Sequence, residues 1–147
     1  MIIFICGPVA AGKTTLATRM VSEQRRSFLV DADEVQAQNM LRPDFSLAGR
    51  ARHAENIASL LERLYRPSET MIAAFCLPLL SMRDVLRERL VGLPTLFLWL
   101  DTPLSVCIQR DPKGLYRRKT ANLPGVSFPL ERPNPDEPRT LIIAPVA

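Results

Sequence analysis

The chain has 147 residues, 47% hydrophobic and 23% charged, which is the size of one globular domain with material for a sizeable core. Its formal net charge of +4 suits an anionic partner but is small for a protein dedicated to nucleic acid. No apolar run approaches the roughly 20 residues that cross a bilayer, so no membrane partner is expected. The three cysteines, Cys6, Cys76 and Cys107, are scattered in apolar surroundings, which speaks against a disulfide framework or a cysteine metal site.

In chain order, residues 2–6 (IIFIC) form a short apolar run rich in β-formers. No basic region precedes it, so it reads as a buried strand and not as a signal peptide, and the cytoplasm is the expected location. A glycine loop follows, then a helical pattern from Lys13 to Gln24. Residues 28–30 (FLV) form a second apolar run ending in "DAD". From Arg50 to Arg66, Ile57, Leu60, Leu61 and Leu64 recur at helical spacing. The runs 70–76 and 95–100 are again apolar, with a charged amphipathic helix over 81–91 between them. A helix over 103–110 starts with Pro103 in its first turn, and 140–143 (TLII) is the last apolar run.

Short apolar runs without alternation imply strands buried on both faces, and helical stretches between them imply a parallel sheet. The reading is one α/β domain over residues 1–147, a doubly wound parallel sheet of about five strands with flanking helices. Residues 124–138 hold five prolines, Pro124, Pro129, Pro133, Pro135 and Pro138. Such a segment is not regular structure, and it is expected to belong to a proline-rich lid loop spanning about 111–138.

The segment "GPVAAGKT", Gly7 to Thr14, fits G-x-x-x-x-G-K-[ST] between a strand and a helix, the context that a phosphate-binding loop requires. Its backbone N–H groups, with the positive end of the helix, are suited to a β-phosphate. Gly7, Ala10, Ala11, Gly12, Lys13, Thr14 and Thr15 are therefore the expected nucleotide contacts. Lys13 reaches the β- and γ-phosphates, Thr14 ligates Mg²⁺, and Thr15 supports the α-phosphate.

A second site candidate is "VDADEV", residues 30–35, at the carboxyl end of the second strand, where doubly wound sheets bind ligands. On an extended segment Asp31 and Asp33 face the same side. One carboxylate can organise Mg²⁺ and the other can accept the proton of an attacking hydroxyl; the competing reading is a helix N-cap. In "HAENIA", Asn56 is a candidate substrate contact, the alternative being plain solvent exposure. In "RDPKGLYRRK", 110–119, five of ten residues are basic. Tyr116 is the one aromatic there, too few for a stacking platform, so nucleic acid is not the expected partner.

Together, "GPVAAGKTT", "VDADEV", "FS" (Phe45–Ser46) followed by "AENI", "AAFCLP", "LDTPLSVCIQRDPKGLY" and "GVSFPLE" resemble the adenylylsulfate kinases in order and spacing over almost the whole chain. The resemblance implies a P-loop kinase that uses ATP and Mg²⁺ to phosphorylate the ribose 3′-hydroxyl of adenosine 5′-phosphosulfate, and it is compatible with a homodimer. It implies Asp33 as base and magnesium organiser beside Thr14, with Lys13 and Lys113 also catalytic and Arg110 on the nucleotide. Asp31, Asp33, Gln36, His53, Asn56, Lys113, Leu115 and Tyr116 become the expected acceptor contacts.

The acceptor half departs from the family pattern. Gln36 and His53 stand where the family has Arg, Ala58 and Ser59 replace two more, Cys76–Leu79 replace an I-S-P-Y turn, and an aromatic F-T-G is missing between Pro124 and Gly125. A charge-assisted hydrogen bond is worth roughly 1.5–3 kcal/mol, so losing two Arg removes two to four decades of affinity for a phosphosulfate, at about 1.4 kcal/mol per decade. Arg42, Arg50 and Arg52 are the residues expected to compensate. The acceptor stays open between adenosine 5′-phosphosulfate, another nucleotide derivative and a metabolite alcohol, with a non-catalytic nucleotide-binding protein as the alternative.

Overall fold

The structure, a computed structural model, describes residues 1–41 and 44–145. The chain runs β1 (Ile2–Cys6), α1 (Lys13–Glu23), β2 (Ser27–Asp31), α2 (Ala32–Ala37), α3 (Leu47–Leu64), β3 (Thr70–Ala74), α4 (Leu80–Arg89), β4 (Thr95–Leu100), α5 (Leu104–Arg110) and β5 (Thr140–Ile143). The strands form one five-stranded sheet in the order β2-β3-β1-β4-β5, and every pairing is parallel. This is the doubly wound architecture expected from the unalternated apolar runs.

β1 lies at the centre and is buried along its whole length. Its side chains alternate between the two faces and serve two separate cores. Ile2, Phe4 and Cys6 pack with Ile57, Leu60 and Leu61 of α3, Met82 and Leu86 of α4, and Phe97 and Trp99 of β4. Ile3 and Ile5 pack with Ala17 of α1, Cys107 of α5 and Leu100. Phe4 and Phe97 stack across the sheet with centroids 4.6 Å apart. Burial on this scale pushes the Cys6 thiol up to about 12, so it is an inert apolar filler.

Two local expectations change. The chain does not continue extended through 31–33: β2 ends at Asp31, and α2 begins at Ala32. Asp31 is the N-cap, its carboxylate accepting from the Asp33 amide at 3.2 Å. Asp31 and Asp33 therefore do not share one side of a strand. The helix expected from Arg50 starts three residues earlier, because the Ser46 hydroxyl caps the Gly49 amide at 3.1 Å.

The proline-rich segment 124–138 contains no helix or named strand. The wider stretch expected to form the lid, 111–138, has two differently placed parts. Residues 120–124 border a cavity at the carboxyl edge of the sheet. Residues 131–138 are strapped to α4. Glu131 receives the Leu80 amide at 3.0 Å, and its own amide donates to Pro78 O at 2.7 Å. The fully buried Arg83 donates to Glu137 Oε1 at 2.7 Å, to Leu77 O at 2.8 Å and to Glu131 O at 2.9 Å. Arg87 binds the same Glu137 carboxylate. Burial pushes Glu137 up, but the hydrogen bonds and charges of Arg83 and Arg87 outweigh it and hold this carboxyl below its ordinary value. Among the described residues, no helix is long and apolar enough to cross a membrane.

Candidate active site

The strand order reverses at β1, which opens a crevice at its carboxyl end. A cavity of about 910 Å³ occupies it, walled by residues of the β1–α1 loop, the start of α2, α3, the end of β3 and segment 110–124.

The loop after β1 reverses direction through left-handed backbone at Gly7 and Gly12. A Cβ on Gly7 would stand 2.8 Å from Leu100 O, so glycine there seats the loop against β4. Gly7 was expected to contact nucleotide, but it is not on the cavity wall; Ala10, Ala11, Gly12, Lys13, Thr14 and Thr15 are. Two outside groups hold the loop. The Thr102 hydroxyl donates to Ala11 O at 2.9 Å, and the Tyr116 hydroxyl donates to Val9 O at 2.7 Å. Lys13 Nζ folds back on the loop's own carbonyls, Pro8 O at 2.6 Å and Gly7 O at 3.1 Å.

At the foot of α1, the Thr14 hydroxyl donates to Asp31 Oδ1 at 2.7 Å. The pair was expected to be Thr14 with Asp33; the turn into α2 places Asp31 against Thr14 instead. Asp33, on the first turn of α2, forms an ion pair with Lys113. Both partners of that pair are more than half exposed, so it adds little stability. Its interest is positional, since it joins the two edges of the cavity. Among the described residues, no cluster of three or more His, Cys, Asp or Glu is placed to hold a metal by protein ligands alone. Thr14 and Asp31 do supply two hard oxygens side by side, which suits a Mg²⁺ that takes its remaining ligands from phosphates and water.

Arg110 lies over the loop, its guanidinium 3.9 Å from where a Gly12 Cβ would sit. The turn that follows is set by Asp111, whose carboxylate accepts from the Tyr116 amide at 3.1 Å and the Arg117 amide at 3.0 Å. Lys113 and Leu115 line the cavity as expected, and Gln36 does too. Tyr116 does not. Its ring is buried beside Ala11 and Cys107, and its hydroxyl is used by Val9 O, so it braces the loop and leaves no group for an acceptor. Arg117 and Arg118 are exposed.

On α3, Arg50, His53 and Ile57 face the cavity at helical spacing. Asn56 is exposed and off the wall, because it lies about 90° around the helix from the Arg50–His53–Ile57 face at 100° per residue. Arg50 does not present a free cation either. It is buried, with Nε donating to Phe45 O at 3.2 Å and Nη2 to Asn122 O at 3.0 Å. The guanidinium also lies 5.0 Å from the Phe45 ring centre and 4.3 Å from that of Phe128. It thus ties α3 to the 122–128 segment. Arg52 is exposed and off the cavity wall, and Arg42 lies outside the described residues. His53 is buried against the edge of Phe45, and its Nδ1 has no hydrogen-bond partner among the described residues. Burial, reinforced by the Arg50 charge, lowers its pKa to about 4.

Comparison with known proteins decides the family. The adenylylsulphate kinase family model matches residues 1–140. The chain belongs to that family. It is 31% identical over 144 residues to a probable adenylyl-sulfate kinase of Pseudomonas aeruginosa, covering 92% of this chain and 66% of that protein. It is also 31% identical over 141 residues to an adenylyl-sulfate kinase of Shewanella sp. (strain ANA-3), with 90% and 69% coverage. The fold matches the Mycobacterium tuberculosis APS kinase solved with AMPPNP and APS, at a TM-score of 0.85 and 23% identity, covering 98% of this chain and 87% of that one. The chain thus spans about two thirds of the length of the two curated relatives.

Within this adenylylsulphate kinase fold, the phosphate loop and the Arg110–Leu115 turn carry local sequence signals. Two participants did not. Asp31 as the partner of Thr14, and Arg83 behind the wall, are set by contacts across 17 and 54 residues. Only the N-cap reading of Asp31 pointed towards its position.

Proposed function

We propose that this chain is a small-molecule kinase that transfers the γ-phosphoryl of ATP to a hydroxyl of a nucleotide-like acceptor, adenosine 5′-phosphosulfate or a relative of it. One observation carries the reading. The phosphate-loop lysine, the Thr14–Asp31 oxygen pair and the Asp33–Lys113 pair border one cavity at the sheet's switch point.

The roles follow from position. The loop amides and the N-terminus of α1 receive the phosphates, and Lys13 turns from Pro8 O and Gly7 O to the β- and γ-oxygens. Thr14 and Asp31 would hold Mg²⁺, which supplies neutralising charge to the phosphates. Asp33 accepts the proton of the acceptor hydroxyl as its oxygen bonds to the γ-phosphorus. The bond from that phosphorus to the bridging oxygen breaks, and its electron pair leaves with ADP. Lys113, released from Asp33, meets the charge spread over the transferring phosphoryl.

The test is ADP release by purified protein with MgATP and a panel of acceptors, adenosine 5′-phosphosulfate among them. Acceptor-dependent ADP formation, reduced at least 100-fold in Lys13→Ala, is the expected result. ATP binding with no turnover on any acceptor would sink the kinase reading and leave a nucleotide-binding protein.

A further inference from the structure

The phosphate loop holds one residue in a backbone shape that its side chain opposes. Ala10 sits at φ 65°, at the third position of a four-residue turn closed by the Ala11 amide donating to Pro8 O at 3.2 Å. Gly or Asn usually fills a left-handed position of that kind, and a Cβ there disfavours it on the order of tenfold. Such a shape persists where its surroundings impose it, and here the carbonyls on either side of Ala10 are both tied down. Val9 O accepts from the Tyr116 hydroxyl at 2.7 Å, and Ala11 O accepts from the Thr102 hydroxyl at 2.9 Å. Both donor residues are buried and lie off the cavity wall. Burial pushes the Tyr116 phenol up, so its hydroxyl keeps the proton it donates.

In a planar trans peptide the carbonyl and the following amide point in opposite directions. Holding Val9 O and Ala11 O away from the cavity therefore turns the amides of Ala10 and Gly12 towards it, and both of those residues line it. On meeting phosphate Lys13 gives up Gly7 O and Pro8 O, which leaves the two hydroxyls as the side-chain ties on the turn.

We propose that Tyr116 and Thr102 are positioning residues for nucleotide binding, their hydroxyls holding the strained Ala10 turn so that the loop amides meet the phosphates. Neither residue touches the nucleotide. Tyr116 has a second duty, because its own amide donates to Asp111 at 3.1 Å: it sets the spacing between the turn that carries Lys113 and the phosphate site. The proposal rests on the phosphate-loop half of the kinase reading and is independent of the acceptor.

The test is calorimetric binding of Mg–AMPPNP, which needs no turnover. Tyr116→Phe keeps the ring and removes the hydroxyl, and it is expected to weaken binding three- to tenfold, up to the value of one neutral hydrogen bond. Thr102→Val, of similar shape, should do likewise, and Thr102→Ser, which returns the hydroxyl, should recover most of that loss. The deciding arm places Tyr116→Phe in an Ala10→Gly background. Glycine takes the left-handed turn without support, and affinity falls only with the fraction of loops that leave the competent shape, so there the same change should cost less than twofold. A packing defect would weaken both backgrounds alike. Less than twofold weakening by Tyr116→Phe with Ala10 in place, or equal weakening in both backgrounds, overturns the proposal. ADP release measured alongside separates it from the kinase reading. Acceptor-dependent turnover with unchanged AMPPNP affinity in Tyr116→Phe removes the positioning role and keeps the kinase, whereas the expected affinity pattern without turnover on any acceptor does the reverse. Absence of AMPPNP binding by the unaltered protein overturns both.

Discussion

Replacing Arg83 with Met tests the account of how the cavity wall is held. The guanidinium is completely buried and satisfies Glu137, Leu77 O and Glu131 O at once, 5.2 Å from the Trp99 ring. Leu77 sits in left-handed backbone at φ 47°, a conformation that costs a branched residue energy and persists here under the Arg83 bond. Met fills much of the volume but leaves two carbonyls without donors and Glu137 with Arg87 alone. Breaking one side of a buried pair costs about 3–5 kcal/mol, a large share of the roughly 5–15 kcal/mol that holds an ordinary domain.

Urea unfolding followed by fluorescence reads this directly, because Trp99 is the chain's single tryptophan. The midpoint should fall with an unchanged slope, since no large surface is exposed in the native state. Arg83→Met with Glu137→Gln should cost at least about 1 kcal/mol less than the sum of the separate changes, because each single change strands buried charge that the double change removes. A loss under about 1 kcal/mol for Arg83→Met, or strict additivity of the pair, would refute the clamp.

Two further outcomes follow from the site. Asp31→Asn keeps the N-cap of α2, because Asn caps as well as Asp, but it removes the charge beside Thr14. It should leave thermal stability nearly unchanged while lowering turnover by at least tenfold and raising the Mg²⁺ requirement; Asp31→Ala should lose about 1 kcal/mol of stability in addition. His53 takes its proton near pH 6.5 when unfolded but only near pH 4 in the fold, so it contributes nothing above pH 6.5 and destabilises as pH falls through that window. The loss reaches up to about 3 kcal/mol at the acid end. Urea midpoints measured from pH 7 to pH 4 should therefore fall less steeply for His53→Gln than for the unaltered protein, and parallel curves would show that the imidazole is not held neutral.

Local sequence determined much of this protein. The unalternated runs at 2–6, 95–100 and 140–143 formed strands over those bounds, but only the first two are well covered; β5 is the sheet's edge strand and leaves Leu141 exposed, against the expectation of burial on both faces. The phosphate loop was legible because its glycines, its lysine and its threonine act through backbone turns a few residues long. The Arg110–Leu115 turn was legible through its likeness to a family, and the family model confirms the relationship.

What the tertiary structure alone decided is which polar groups are already used. Asn56, Tyr116 and Arg50 have the chemistry of ligand contacts. In the fold, one faces off the wall, one braces the loop, and one is spent on two carbonyls. Those assignments depend on helix phase and on partners such as Asn122 and Val9, 72 and 107 residues away in the chain. The clamp between Arg83 and Glu137 has the same origin: its residues look like ordinary surface charges in the sequence, and only packing α4 against the proline-rich strap buries them together. A sequence motif reports groups bound by local backbone geometry, whereas the satisfaction of a buried donor is a property of the whole chain.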